Sequence, residues 1–272
     1  MSEATSENTA WTMSALQFRL LWTDAAGAQF PTELCAFGDE KYETADDQLA
    51  AEKSELTRLR DAMTSAKSEA ITALTRPRYT IGMVGLDARK PLSDTSSHLR
   101  VASAWGGSGD HVIVVRQKPG RSPSHGGDVS VTRSRLDTWT DDLVRLLPTS
   151  TGPGRLPADA DVPFYDLPID VEVLRQVSAD APKTTAAGVF VHETPTTCGS
   201  IRVQVGSEVD GRRPEQLTLQ YRDIDKDGRY LLVIDSPGTA VGVDDAKMAS
   251  SMRRAVNAVK KRYDSRASAE WG

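Results

Sequence analysis

Asp223-Ile-Asp225-Lys-Asp227, followed by Gly228, is the run in this 272-residue chain whose residue types and spacing best suit a bound ion. Carboxylates at positions 1, 3 and 5 with glycine at 6 open a calcium loop, because a hard cation needs several oxygen ligands and the glycine allows a sharp turn. Position 12, which should carry a bidentate glutamate, is Ile234, and both flanks have the pattern of strands where a calcium loop needs helices. The run therefore reads as a turn. The four histidines, His98, His111, His125 and His192, fall singly at strand starts or in loops, without metal-ligand spacing such as HExxH. No GxSxG elbow offers a serine nucleophile, Gly152-Pro-Gly-Arg155 lacks the pattern of a phosphate loop, and no GxGxxG follows a strand. The pairs Asp46-Asp47, Asp141-Asp142 and Asp244-Asp245 sit at or near expected helix starts, where the helix dipole favours negative charge. Cys35 and Cys198 have neither CxxC spacing nor the density of a disulfide scaffold, and read as structural thiols of a reducing compartment. These residues imply no catalytic centre, cofactor site or metal site.

The elements that would position any site are organised around residues 199–235, GSIRVQVGSEVDGRRPEQLTLQYRDIDKDGRYLLVID. Ile201, Val203 and Val205 alternate with Arg202 and Gln204. Leu217, Leu219 and Tyr221 alternate with Thr218, Gln220 and Arg222. A period of two places each apolar set on one buried face and the polar set on a wet one. Asp210-Gly211 and Asp227-Gly228 supply the positive φ angles of hairpin turns, and the continuously apolar run 230–234 predicts an inner strand covered on both faces.

Upstream, residues 1–13 are expected to be a disordered N-terminus. Leu16, Phe18, Leu20, Leu21 and Trp22 predict a helix over 14–25 that ends at Gly27, followed by a short extended piece over 30–35. Leu49, Leu56, Leu59, Met63, Ala66, Ala70 and Leu74 form one apolar stripe, predicting a single helix over 45–74 with one buried side, closed before Pro77. Strands are expected over 78–86, 98–105, 111–117 and 127–132. A helix is then expected from Ser134, with Leu136, Trp139, Leu143 and Leu147 on one face. A Pro- and Gly-rich linker spans 148–168, a short helix is expected over 170–177, and residues 183–193 fit a helix or a strand. After the three organising strands, a short strand over 240–243 leads through Asp244 or Asp245 into a helix to about Tyr263.

The composition, 39% hydrophobic and 26% charged, is that of a soluble globular protein, and the net charge of -5 argues against nucleic-acid binding. No run reaches the roughly 18 apolar residues of a membrane span, and the first residues lack a signal-peptide pattern, so a cytoplasmic location is expected. GGDVSVTRSRLDTWTDDLVRLL and GTAVGVDDAKMASSMRRAVNAV share a pattern, each a short strand leading through a polar cap into an amphipathic helix. That pattern suggests an internal duplication, with residues 14–147 and 169–264 as two pseudo-symmetric halves.

Residues 199–235 resemble the C-terminal half of the EspG family of actinobacterial type VII (ESX) secretion chaperones. There a strand, an Arg-rich turn, a second strand and a turn ending in Gly-Arg-Tyr-Leu recur in this order; here the last is Gly228-Arg229-Tyr230-Leu231. The N-terminal WTMSALQFRLLW followed by PTEL, and the Leu146-Leu-Pro148 helix end, are similar to the family as well. The likeness spans about residues 11–263. It implies an α+β fold: a central, mostly antiparallel sheet flanked by two helical bundles and related by a pseudo-twofold axis. It also implies a non-enzymatic, cytoplasmic chaperone that binds the helical tip of the PPE protein in a PE/PPE heterodimer, keeps it soluble and directs it to the secretion machinery. By position, the loop over 87–97 would touch the client through Asp87, Lys90, Leu92 and Asp94, and the closing helix through Arg253 and Lys260. The chain departs from the family pattern over 182–198 and 119–126. No cofactor and no membrane insertion are implied, and the protein is expected to be a monomer or a weak homodimer.

A different class remains open. A small-molecule-binding or enzymatic α/β protein would need a deep pocket with converging polar groups. A structural dimer would pair a sheet edge with its copy.

Overall fold

The computed structural model describes residues 11–26, 30–38, 40–155, 193–207, 211–233 and 239–270. The helix expected over 170–177, residues 183–192 of the segment that fits a helix or a strand, and most of the 148–168 linker lie outside these residues. The strands are β1 (Trp11–Met13), β2 (Tyr79–Asp87), β3 (Leu99–Trp105), β4 (His111–Pro119), β5 (Gly126–Arg135), β6 (Pro195–Val205), β7 (Glu215–Ile224), β8 (Gly228–Val233) and β9 (Thr239–Gly242). They form a nine-stranded sheet in the order β1-β5-β4-β3-β2-β6-β7-β8-β9. With the helices α1 (Ala15–Ala26), α2 (Ala45–Asp61), α3 (Ser65–Thr75), α4 (Trp139–Val144) and α5 (Asp245–Glu270), the fold is α+β. Contacts divide the chain into two compact units. One is Met1–Gly82, Arg100–Trp139 and Val205–Pro214; the other is Met83–Leu99, Thr140–Gln204 and Glu215–Gly272.

In the first unit, residues 11–13 are not part of a disordered tail. Trp11–Met13 pairs with β5, Met13 opposite Val129, because Met13 buries its side chain in the core. Ser14 and Gln17 then cap α1 reciprocally: the Gln17 amide donates to Ser14 Oγ (3.2 Å) and the Ser14 amide to Gln17 Oε1 (2.8 Å). Phe18, Leu21 and Trp22 pack with Ala70, Ile71 and Leu74 of α3 and with Ile113, Val115, Val129 and Val131 of the sheet. Phe18, Trp22 and Phe30 meet with ring centroids 5.7–6.0 Å apart.

The single helix expected over 45–74 is two. Thr64 stops the first and caps the second, its hydroxyl accepting from the Lys67 amide at 3.3 Å. Only the second half of the apolar stripe is buried. No residue of α2 is buried, and Leu49 is 67% exposed. Leu59 packs part-buried against the core, and polar links add to it: Arg19 with Glu52 (2.6 Å), Gln17 with Glu55 (2.6 Å) and Arg60 with Asp24 (2.5 Å). Ser134 does not start a helix either. It pairs with Val112 in the ladder as β5 runs on to Arg135, and α4 begins only at Trp139, whose indole N–H donates to Ser103 Oγ at 3.1 Å.

In the second unit, the alternation predicted for β6 holds, with Ile201 and Val203 fully buried. On β7 it fails at the end. Arg222 and Asp223, on positions expected to alternate wet and dry, are both buried. Tyr230, Leu231 and Leu232 of β8 are buried between β7 and β9, as an inner strand should be. Asp244 caps α5 by accepting from the Lys247 amide at 2.7 Å, and Met248, Met252 and Val259 form the helix's buried stripe, packed against β7.

Candidate functional site

The turn read as a failed calcium loop has its carboxylates engaged by the protein itself. Asp223 lies directly across the hairpin from Arg229. It accepts from Arg229 Nε at 2.7 Å and Nη2 at 2.9 Å, and from the hydroxyl of Thr197. Arg229 is 1% exposed, and its guanidinium also donates to the Pro148 carbonyl and lies 5.6 Å from the Tyr221 ring centre. Burial opposes its charge, and the Asp223 carboxylate more than restores it, leaving the guanidinium pKa above its ordinary value. Asp227 accepts from the phenol of Tyr230 and from the Arg155 amide. Among the described residues, no group of three or more His, Cys, Asp or Glu could hold a metal ion.

The Gly-Arg-Tyr-Leu motif is therefore structural. The Arg229 amide donates to the Gly152 carbonyl (2.7 Å) and its carbonyl accepts from Gly154 (3.0 Å), so residues 152–154 lie along the start of β8. Gly228 has φ +153°, and a side chain there would meet the Gly152 carbonyl oxygen at 2.5 Å. Gly154 is bare because the Tyr230 ring covers it. Tyr221 fills the space left by Gly85 and Gly199, and burial pushes its phenol pKa up.

The loop over 87–97 is the opposite: outward-facing and tied down by its own polar groups. Asp87 accepts from Arg89 Nε (2.9 Å), Nη2 (2.8 Å) and backbone N–H (3.0 Å), while its own amide donates to Ser97 Oγ (3.2 Å). The Arg89 guanidinium lowers the Asp87 pKa to about 2. Two backbone turns follow, Lys90 to Asp87 (3.1 Å) and Asp94 to Pro91 (2.9 Å). Asp94 then caps the single 3-10 turn Thr95–Ser97 by accepting from Ser96 N–H at 3.0 Å. Lys90 bonds Ser96 Oγ (2.8 Å) and pairs with Asp94 (3.4 Å), and Asp94 titrates below the ordinary carboxyl value through its bonds with Ser96 and Lys90. Thr95 and Ala88 are buried, anchoring both ends. Leu92, 41% exposed, stands at the crest.

The other two predicted contact residues lie in the same compact unit, on α5. Arg253 donates to Thr140 Oγ1 (2.6 Å) and Asp141 Oδ2 (2.8 Å), joining α5 to the start of α4. Lys260 pairs with Asp264 one turn on at 2.5 Å. Asp87, Lys90 and Asp94 thus converge on one loop with Leu92, whereas Arg253 and Lys260 also brace the helix that carries them.

The family model described as the EspG family matches residues 14–254, most of the chain. The chain belongs to the EspG family. EspG proteins are type VII secretion-associated chaperones, a chaperone family and not an enzyme family. No curated protein matches the chain. Among the described residues no helix is long and apolar enough to cross a membrane.

Sequence reading missed the Asp223–Arg229 pair because Asp223 was assigned to a turn. The Asp-Gly pair points to a turn on Asp227-Gly228, which would put Asp223 opposite Leu232, whereas the ladder turns about Lys226 and pairs Asp223 with Arg229. The usable signal was that an arginine heading an apolar run needs an acid beside it.

Proposed function

We propose that this EspG protein is a cytoplasmic type VII (ESX) secretion chaperone that binds the helical tip of a PPE protein in a PE/PPE heterodimer. Binding keeps the client soluble and directs it to the secretion machinery. The loop over 87–97 and the outer face of α5 form its contact surface. The observation that carries this reading is Leu92, 41% exposed on a loop whose surrounding polar groups are committed to one another. An apolar side chain presented on a pre-ordered backbone binds without the entropic cost of ordering a flexible loop. Exposed apolar helix ends aggregate, and covering such an end removes that hazard. Asp87, Lys90 and Asp94 are paired already, so at the rim they select partners more than they add affinity, and Arg253 and Lys260 act likewise.

Co-expression with the PE/PPE pair of the same secretion cluster tests this. A stable 1:1:1 complex burying on the order of 1,200–2,000 Å² is expected. Leu92→Asp removes roughly 1 kcal/mol of apolar contact and adds a carboxylate that must be desolvated, so capture weakens on the order of tenfold or more. Wild-type capture by a folded Leu92→Asp protein would retire the loop as the contact.

A further inference from the structure

The first unit carries a second outward-facing surface that the loop over 87–97 does not use. A groove of about 300 Å³ is lined by Leu16 and Arg19 of α1, by Phe37, Glu40 and Tyr42 of the segment before α2, and by Glu52 of α2. Phe37 is 65% exposed on its rim, and Leu49, 67% exposed, follows Gln48 of the same lining. Apart from Leu92, these two are the large apolar side chains most exposed among the described residues.

The backbone under Phe37 is fixed. Gln117, 2% exposed, grips Cys35 at both polar groups, accepting from its N–H at 2.7 Å and donating to its carbonyl at 2.9 Å, as a neighbouring strand would. The Phe37 carbonyl accepts from the Gly126 amide at 2.8 Å, in a bridge with His125. An aromatic side chain held out on a pinned backbone has the character of a binding anchor, since little ordering entropy opposes its contact.

The charge of the surroundings says what the anchor meets. Over residues 40–47, Glu40, Glu43, Asp46 and Asp47 are exposed against one lysine, Lys41, and Arg121 lies 3.0 Å from His125 of the lining, so acids outnumber bases around the groove. Arg19 adds no free positive charge, because Glu52 holds it at 2.6 Å. Tyr42 reports this field: burial, then Glu40, Glu52 and Glu55, push its phenol pKa up.

We infer that this groove is a docking site for a basic peptide segment of a partner protein, in which leucine-like side chains cover Phe37 and Leu49 while arginines meet Glu40 and Glu43. An arginine seated between acids and the faces of Phe37 and Tyr42 gains both ion-pair and cation–π attraction. The inference does not depend on the client reading above.

Isothermal titration of the full chain with a short amidated peptide of arginines and leucines tests it, against the same peptide with glutamine for every arginine. The arginine peptide should bind and the glutamine peptide should bind on the order of tenfold more weakly, with the difference shrinking as salt rises. Phe37→Ser and Leu49→Ser should each weaken the arginine peptide by roughly tenfold, and Glu40→Gln with Glu43→Gln severalfold, with unchanged melting temperatures. Leu92→Asp should leave this binding as it is, which separates the groove from the client loop. No binding of the arginine peptide, equal binding of both peptides, or wild-type affinity in Phe37→Ser and Leu49→Ser would overturn the inference.

Discussion

Removing Asp223 should expose how far this fold depends on one buried ion pair. In Asp223→Ala the Arg229 guanidinium, 1% exposed, loses two hydrogen bonds of 2.7 and 2.9 Å and stays buried. Breaking a buried pair from one side costs about 3–5 kcal/mol, because the surviving charge is left uncompensated. Arg229 keeps the Pro148 carbonyl, the Tyr221 ring and a distant Asp245 carboxylate at 3.7 Å. These place the cost near the low end, about 3 kcal/mol. That is a large share of the roughly 5–15 kcal/mol by which domains are stable. Arg229→Met strands the opposite charge and also removes the guanidinium bond to the Pro148 carbonyl, while the backbone bonds to Gly152 and Gly154 remain, so it should cost a similar amount. The double variant Asp223→Ala with Arg229→Met strands no charge and should be more stable than the sum of the two losses predicts, by at least about 1 kcal/mol. Urea unfolding of all four proteins, followed by circular dichroism, measures this. Asp223→Ala within about 0.5 kcal/mol of the parent, or strictly additive losses, would refute the reasoning.

Two further perturbations probe the surfaces. The Asp87 pKa is depressed from 3.8 to about 2, so its pairing with Arg89 stabilises the loop above pH 3.8 and is lost as pH falls through about 2. Arg89 is 62% exposed, so solvent screening keeps the contribution to stability small. Carboxyl titration by NMR should place the Asp87 midpoint near 2 and return it towards 3.8 in Arg89→Ala; an ordinary midpoint in the parent protein would contradict the loop geometry. Gln117→Ala leaves a buried N–H and carbonyl of Cys35 unpaired and should cost about 1–3 kcal/mol for each. It should also raise amide hydrogen exchange over residues 35–37. Parent-like exchange there would mean that Gln117 does not pin the segment.

The sequence is most legible where one rule acts alone. Ile201, Val203 and Val205 alternate with polar residues on a strand buried on one face, and Tyr230 to Leu232 are unbroken on a strand buried on both. It misleads where a pattern runs through a boundary. The apolar stripe from Leu49 to Leu74 keeps helical spacing across Thr64, yet Thr64 caps a new helix and Leu49 faces water, because only the end of α2 near Leu59 reaches the core and polar links hold the rest. Ser134 has the chemistry of a helix cap, but its place opposite Val112 keeps it in the ladder. Arg222 looks solvent-facing by alternation and is buried, its guanidinium donating to the Glu193 carbonyl, and Asp223 enters the core because Arg229 waits across the strand. Of the proposed contact surface, Leu92 on its loop was recognisable by position in the family. The bonds that fix that loop, and the grip of Gln117 on Cys35, join residues whose pairing no spacing rule announces.

The central claim is that this EspG protein works by covering a client's apolar helix end through the loop over 87–97. Size-exclusion chromatography of the chain co-expressed with its PE/PPE pair, beside the Leu92→Asp variant, tests it most directly. The account predicts a ternary peak for the parent chain and its loss or marked weakening for a folded Leu92→Asp protein. A ternary peak of equal strength with both proteins, or none with the parent, would contradict it.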